Sequence, residues 1–279
     1  MEEVLEQIRE KQKASWNKFS PGWKKWDAFT MGFLQPHGNA MIEILKPSGA
    51  LKVLDIAGGT GEPSLTIASM LDGGHVTITD LSDGMLDVAR GKATERGISN
   101  VDLQTADACE LPFEDNSFDL VSCRMGFMFF PDMMMAAKEI VRVLKPGGRF
   151  ATTVWGLPEN NFWVTCMVKN INEQIGWPAP PPGAPGMFRC APSNLMKDLF
   201  EKAGLNDVTQ TEIQSIMDCR DAQEYWDMMT EVAAPFVAAL QDADDATVEH
   251  VHQGVLADMS ARFPDGKIDT SGWVIGGVK

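Results

Sequence analysis

Apolar positions along the chain follow two rhythms, and the change between them divides it. Residues 2–19 repeat apolar side chains at helical spacing and predict an amphipathic helix. Trp16, Phe19, Trp23 and Trp26 carry the spacing on. Pro21-Gly22 predicts an interruption there, since proline lacks the N–H that a helix interior uses. Residues 39–46 predict a second helix, stopped by Pro47 and Gly49. From residue 51 short apolar runs alternate with amphipathic segments. They predict strands at 51–56, 75–79, 101–105, 118–123 and 149–155, and helices at 64–71, 84–96 and 133–144. Strands alternating with helices imply βαβ units, a parallel sheet and right-handed crossovers. Beyond Trp155 the pattern predicts helices at 160–176, 193–203, 221–240 and 244–262, and a proline- and glycine-rich loop at 177–186. It also predicts a strand at 207–216 and a last short run at 267–278 able to close the sheet.

Composition narrows the partners. Over 279 residues the net charge is −15, which repels phosphate backbones and anionic lipid, so nucleic acid is not an expected partner. No apolar run reaches bilayer length, and the charged start MEEVLEQIREKQK lacks the apolar stretch of a secretory signal. Cys109, Cys123, Cys166, Cys190 and Cys219 are widely spaced with no C-x-x-C pair. That pattern predicts free thiols in a reducing cytoplasm and no metal site.

The densest chemistry lies where the first predicted strand ends, in Val53-Leu54-Asp55-Ile56-Ala57-Gly58-Gly59-Thr60-Gly61. A buried strand running into a glycine turn and then a helix lets backbone approach a ligand and offers it free N–H groups. Alone, such a loop also fits a dinucleotide dehydrogenase, but that fingerprint needs a third glycine where this chain has Ser64. Asp80 ends the second strand, where a carboxylate can accept from both hydroxyls of a ribose. Asp107-Ala108 follow the third strand, where an acidic side chain and a neighbouring N–H can hold adenine. Asp55 lies toward the amino-acid end of such a ligand, which carries an ammonium group in S-adenosylmethionine (SAM) and none in NAD.

VLDIAGGTGEPSLTIA, TDLSDGMLDVAR, ADACELPFEDNSFDLVSCRMGFMFFPD and EIVRVLKPGGRF, in that order, resemble the successive motifs of class I SAM-dependent methyltransferases. The branch they resemble most includes the ubiquinone and menaquinone biosynthesis C-methyltransferases, over roughly residues 50–155. The resemblance implies an α/β fold: a Rossmann-like, seven-stranded sheet with its last strand antiparallel, a helical N-terminal segment, and helical insertions forming an acceptor cap. It divides the chain into a lid segment at 1–49, a SAM-binding core at 50–155, and cap helices with the last two strands at 156–279. It implies cofactor contacts from Asp55, Gly59, Gly61, Asp80, Met85, Asp107 and Ala108, with Arg124 and Met125 near the sulfonium. S-adenosylhomocysteine would be the product. Ala57 stands where the family has its first loop glycine.

No fixed base can be read from cofactor motifs, because methyl transfer needs one only when the acceptor must lose a proton. His37, in the expected loop Gln35-Pro36-His37-Gly38, is the candidate. Tyr225 is a candidate lining residue of the acceptor cavity, which residues 156–204 and 221–263 are expected to cover. His250 and His252 are expected on a solvated helix face, and Cys123 in the core. The methionine- and phenylalanine-rich run 125–135 reads as core first and as an apolar acceptor pocket second. Trp16, Trp23 and Trp26, with the 177–186 loop, are expected to border the acceptor entrance. Two other readings fit the same motifs: a SAM-binding protein that does not methylate, and an enzyme using this fold for dehalogenation or another methyl donor.

Overall fold

The computed structural model describes residues 2–178, 181 and 183–279. Two long helices, α1 (Glu2–Lys25) and α2 (Asp27–Leu45), lead into β1 (Lys52–Ile56), α3 (Ser64–Met70), β2 (His75–Asp80), α4 (Asp83–Glu95), β3 (Val101–Thr105), β4 (Phe118–Arg124), α5 (Met133–Val143) and β5 (Leu144–Trp155). The remainder is α6 (Phe162–Ile175), α7 (Leu195–Ala203), β6 (Asn206–Asp218), α8 (Ala222–Val232), α9 (Ala234–Leu240), α10 (Asp245–Arg262) and β7 (Lys267–Val278). The strands form one sheet in the order β3-β2-β1-β4-β5-β7-β6. β1 to β5 pair in parallel, and β7 runs antiparallel to β5 and β6 on either side of it. This is the expected Rossmann-like sheet with its last strand antiparallel.

Alternation along β1 explains the layering. Val53 joins one apolar cluster, with α2, α3 and α4, while Leu54 and Ile56 join the other, with α5, α6 and α7. A strand covered on both faces reads as a continuous apolar run, which is why β1 and β4 were legible as runs and not as alternations. Among the described residues no helix is long and apolar enough to cross a membrane.

Two N-terminal expectations are corrected. α1 runs through Pro21 without a break. Proline cannot donate to the carbonyl of Asn17, but Ser20 Oγ does so in its place at 3.0 Å. α2 begins at Asp27, well before residue 39, and takes in Pro36 and His37, so His37 stands on a helix and not in a loop. The buried face of Thr30, Phe33, Leu34, His37, Met41 and Leu45 outweighs the local cost of Pro36. The helix predicted at 133–144 is α5, which ends at Val143 just before Lys145-Pro146-Gly147-Gly148. The chain there bulges at the start of β5, with Gly147 at φ 76 and a register shift against β4 between Phe118 and Leu120.

Candidate functional site

The chain lays β1, β2 and β3 outward in one direction, then returns to place β4 on the other side of β1. Connections after β1 and β4 therefore diverge, and a crevice opens at their carboxyl ends. There lies a cleft with about 960 Å³ of empty space, partly open to solvent. Every predicted cofactor residue lines it except Asp55 and Gly61. Backbone in the left-handed region concentrates here: Ala57 (φ 54), Gly59 (φ 54) and Gly61 (φ 99) after β1, Met125 (φ 57) after β4. Glycine takes that conformation freely, whereas alanine at 57 carries about 1–2 kcal/mol of strain. A Cβ on Gly58 would lie 2.5 Å from Ile78 Cγ2, so the turn fits against β2 only without a side chain.

Asp80 holds this turn. Its Oδ2 accepts from Gly59 N and its Oδ1 from Ser82 N, both at 2.9 Å. Burial pushes its carboxyl up to about 6, against the pull of those backbone donors. Ser82 caps α4 by accepting from Met85 N, which leaves Asp80 free to face the cleft. Asp55 is fully buried, its two oxygens accepting from Ser64 Oγ and Ser122 Oγ, and burial raises it to about 6 as well. It ties β1 to α3 and β4 beneath the loop and does not line the cleft. Asp107 Oδ1 accepts from Cys109 N at 2.9 Å, and its Oδ2 is taken by Arg9 Nε at 2.6 Å.

That last contact belongs to a wall the motifs did not show. α1 presents Arg9 to Asp107, Gln12, Trp16 and Trp23 to the cleft, and Asn17 Oδ1 to Ser82 Oγ at 2.6 Å and Gly84 N at 3.0 Å. Positions 9, 12, 16 and 23 share one helical face. Their spacing around Trp16 and Trp23 carries the signal. Trp16 meets Phe129 edge-on at 5.3 Å, closing the wall against the turn after β4. Trp26 does not line the cleft; it donates to Glu231 on α8. Among the described residues of the 177–186 loop none lines the cleft; positions 179, 180 and 182 lie outside the described residues. The C-terminal helices act at second hand, with α8 backing α1.

The base candidate sits apart from this chemistry. His37 is fully buried against Trp155 and Gly272, does not line the cleft, and has no partner on either ring nitrogen. Burial, then the charge of Arg124, pull its pKa down to about 4. The folded state therefore rejects a proton that the unfolded chain accepts near pH 6.5, so this group's contribution to stability is lost as pH falls from about 6.5 to 4. Relative to His37→Leu, the wild type should lose up to about 3 kcal/mol over that window. Urea unfolding of both proteins at pH 4.5 and 7 tests this; a constant difference would mean the ring is not held neutral. Tyr225 is likewise buried, its hydroxyl donating to Trp163 O, away from the cleft. His250 is exposed and His252 half-buried on α10. Cys123 is fully buried and its thiol is pushed far up by burial, as core packing requires. The 125–135 run divides: Met128 is core, while Met125, Phe129 and Phe130 line the cleft. Among the described residues no group of three or more His, Cys, Asp or Glu could hold a metal ion.

Comparison with known proteins agrees with this fold. Residues 53–148 match the family model described as a methyltransferase domain. A demethylmenaquinone methyltransferase of Listeria monocytogenes is 40% identical over 123 residues, 44% of this chain and 52% of that protein. The chain thus spans about half the length of such a relative. YcgJ of Bacillus subtilis superposes with a TM-score of 0.59 at 22% identity, covering 87% of this chain and 98% of the other. A Haemonchus contortus phosphoethanolamine N-methyltransferase 2, solved with S-adenosylhomocysteine, superposes at 0.54 and 20% identity, covering 87% of this chain and 52% of that one. Residues 53–148 thus carry a methyltransferase domain, distantly homologous over 44% of the chain to the demethylmenaquinone methyltransferases.

Proposed function

We propose that this protein transfers the methyl group of SAM to a small-molecule acceptor. The observation that carries the reading is the placement of Asp80 and Asp107 on one cleft, at the ends of successive strands, beside a glycine loop braced from beneath by Asp55. When bound, SAM supplies an electrophilic methyl group. Asp80 would hold the ribose hydroxyls while fixing Gly59. Asp107 and Ala108 would hold adenine, and Met85 would pack on the nucleoside. Backbone after β4, at Arg124 and Met125, would border the sulfonium end, and Gly61 would shape the loop. Trp16, Phe129 and Phe130 give the remaining space an apolar wall, where orientation of the acceptor alone can contribute about 7–11 kcal/mol. The buried free thiols suit a reducing cytoplasm.

Calorimetry with SAM, S-adenosylhomocysteine and NAD tests the reading. The first two should bind and raise the melting temperature by mass action, and NAD should not. NAD binding without SAM binding would overturn it. SAM binding with no S-adenosylhomocysteine formed across acceptors in cell extract would favour a non-methylating SAM-binding protein.

A further inference from the structure

The residues at the acceptor end of the cleft say what kind of molecule it takes, given the cofactor reading above. Arg124 lines the cleft and is half-buried, yet none of its nitrogens lies within 4.0 Å of a carboxylate oxygen in the described residues. Its contacts are long: 3.5 Å to Leu34 O and 3.6 Å to Met31 Sδ, both on α2. Three carboxylates are near enough to attract it, and each is already held. Asp55 accepts from Ser64 and Ser122, Glu62 from Thr66 and Arg96, Asp27 from Lys92 and Thr60. A guanidinium with five donors is thus left in a cleft with little to receive them.

A second donor, in the wall of the same cleft, has no partner. Trp23 Nε1 is buried and has no hydrogen-bond partner, although Trp23 lines the cleft beside Trp16, at 6.3 Å between ring centroids. Buried N–H groups without partners are uncommon, and each calls for an acceptor. No histidine, cysteine, lysine or tyrosine is among the described lining residues, so none of these side chains is placed to take a proton from an acceptor.

We propose that the acceptor is an aromatic carboxylate. Its charged oxygen is received by the Arg124 guanidinium and the Trp23 N–H, and its ring lies against Trp16 and Phe129. Such an acceptor brings its own lone pair, so no side chain has to deprotonate it. Its charge also offsets that of Arg124, which the protein leaves unpaired. A fork of N–H donors matches a carboxylate better than a neutral amide.

The test uses the full chain saturated with S-adenosylhomocysteine, titrated in a calorimeter with naphthoate and with its neutral analogue naphthamide. Naphthoate should bind about tenfold or more tightly than naphthamide. With each protein saturated at an S-adenosylhomocysteine concentration set by its own measured affinity, Arg124→Gln should abolish that preference and Arg124→Lys should keep part of it. Trp23→Phe should weaken naphthoate by about threefold. A wild type that binds S-adenosylhomocysteine but shows no preference for naphthoate overturns this proposal alone. So does an Arg124→Gln protein that keeps the preference, or one that loses only S-adenosylhomocysteine, which would give Arg124 to the cofactor. A wild type that binds no S-adenosylhomocysteine overturns the cofactor reading and this proposal with it. The wild-type comparison stands even if the variants fold poorly.

Discussion

Replacing Asp80 with alanine is expected to weaken SAM and S-adenosylhomocysteine binding by at least about tenfold, since hydrogen bonds to a charged group are worth about 1.5–3 kcal/mol. The side chain does two things at once. It faces the cleft as a carboxylate, and it receives Gly59 N and Ser82 N, which fixes the loop that a nucleoside would approach. Alanine removes both, whereas Asp80→Asn removes the charge and keeps one acceptor oxygen for the two backbone N–H groups, so comparing the two shows how much one retained loop bond preserves. The charge also makes binding pH-dependent. Burial holds this carboxyl up at about 6, and only the ionised form accepts from two hydroxyls, so affinity should fall as pH drops through about 6. In Asp80→Asn that fall should be absent or smaller. Calorimetry with S-adenosylhomocysteine at pH 5.5 and 7.5 measures each effect. A folded Asp80→Ala protein with wild-type affinity would show that the ribose is held elsewhere.

The second large effect is expected at Gly22, where α1 crosses α8. A Cβ there would lie 2.0 Å from Glu231 O and 2.9 Å from Glu231 C, both backbone atoms. Neither can move aside as a flexible side chain would, so Gly22→Ala must push the helices apart. Overpacking of this kind costs about 1–3 kcal/mol. The displacement should also loosen the Lys25–Glu231 ion pair and the Trp26–Glu231 hydrogen bond that fasten the end of α1. Arg9, Gln12, Trp16 and Trp23 lie on the same helix, so the cleft wall should loosen with it. Amide exchange across residues 9–23 should therefore rise, and the melting temperature fall. Gly32→Ala is the control: nothing lies within 4 Å of its Cβ, and an exposed helical glycine should gain about 0.5–1 kcal/mol from the change. Equal melting temperatures for the two variants would mean that the α1–α8 contact does not hold the wall.

Both results bear on how the site could be read in advance. The order of motifs along the chain points to Gly59, Asp80, Met85, Asp107, Ala108, Arg124 and Met125, and all line the cleft. A strand end followed by a turn is local, so the chain itself specifies which residues stand there. Asp55 came from the same motif but lies beneath the loop. Whether a strand-end side chain faces ligand or core depends on which side of the sheet it points to, and a continuous apolar run such as Val53–Ile56 conceals that. His37 stands on a helix and not in the expected loop for a related reason: Pro36 argues locally for a loop. Only the apolar face that α2 buries against the sheet overrides it.

The sequence by itself determined the alternation of strands and helices, the parallel core with its closing strand, and the glycine loop with its carboxylates. These depend on period, turn chemistry and short-range spacing, which any stretch of chain carries within itself. The tertiary structure alone decided which surfaces meet across long separations. Arg9 reaches Asp107, Asn17 reaches Ser82 and Gly84, and Arg124 is left among carboxylates that other groups already hold. Such pairings follow from how amphipathic helices dock on a finished sheet. Many docking geometries share one hydrophobic pattern, so the partners of a charged side chain are fixed only once the apolar faces have been buried.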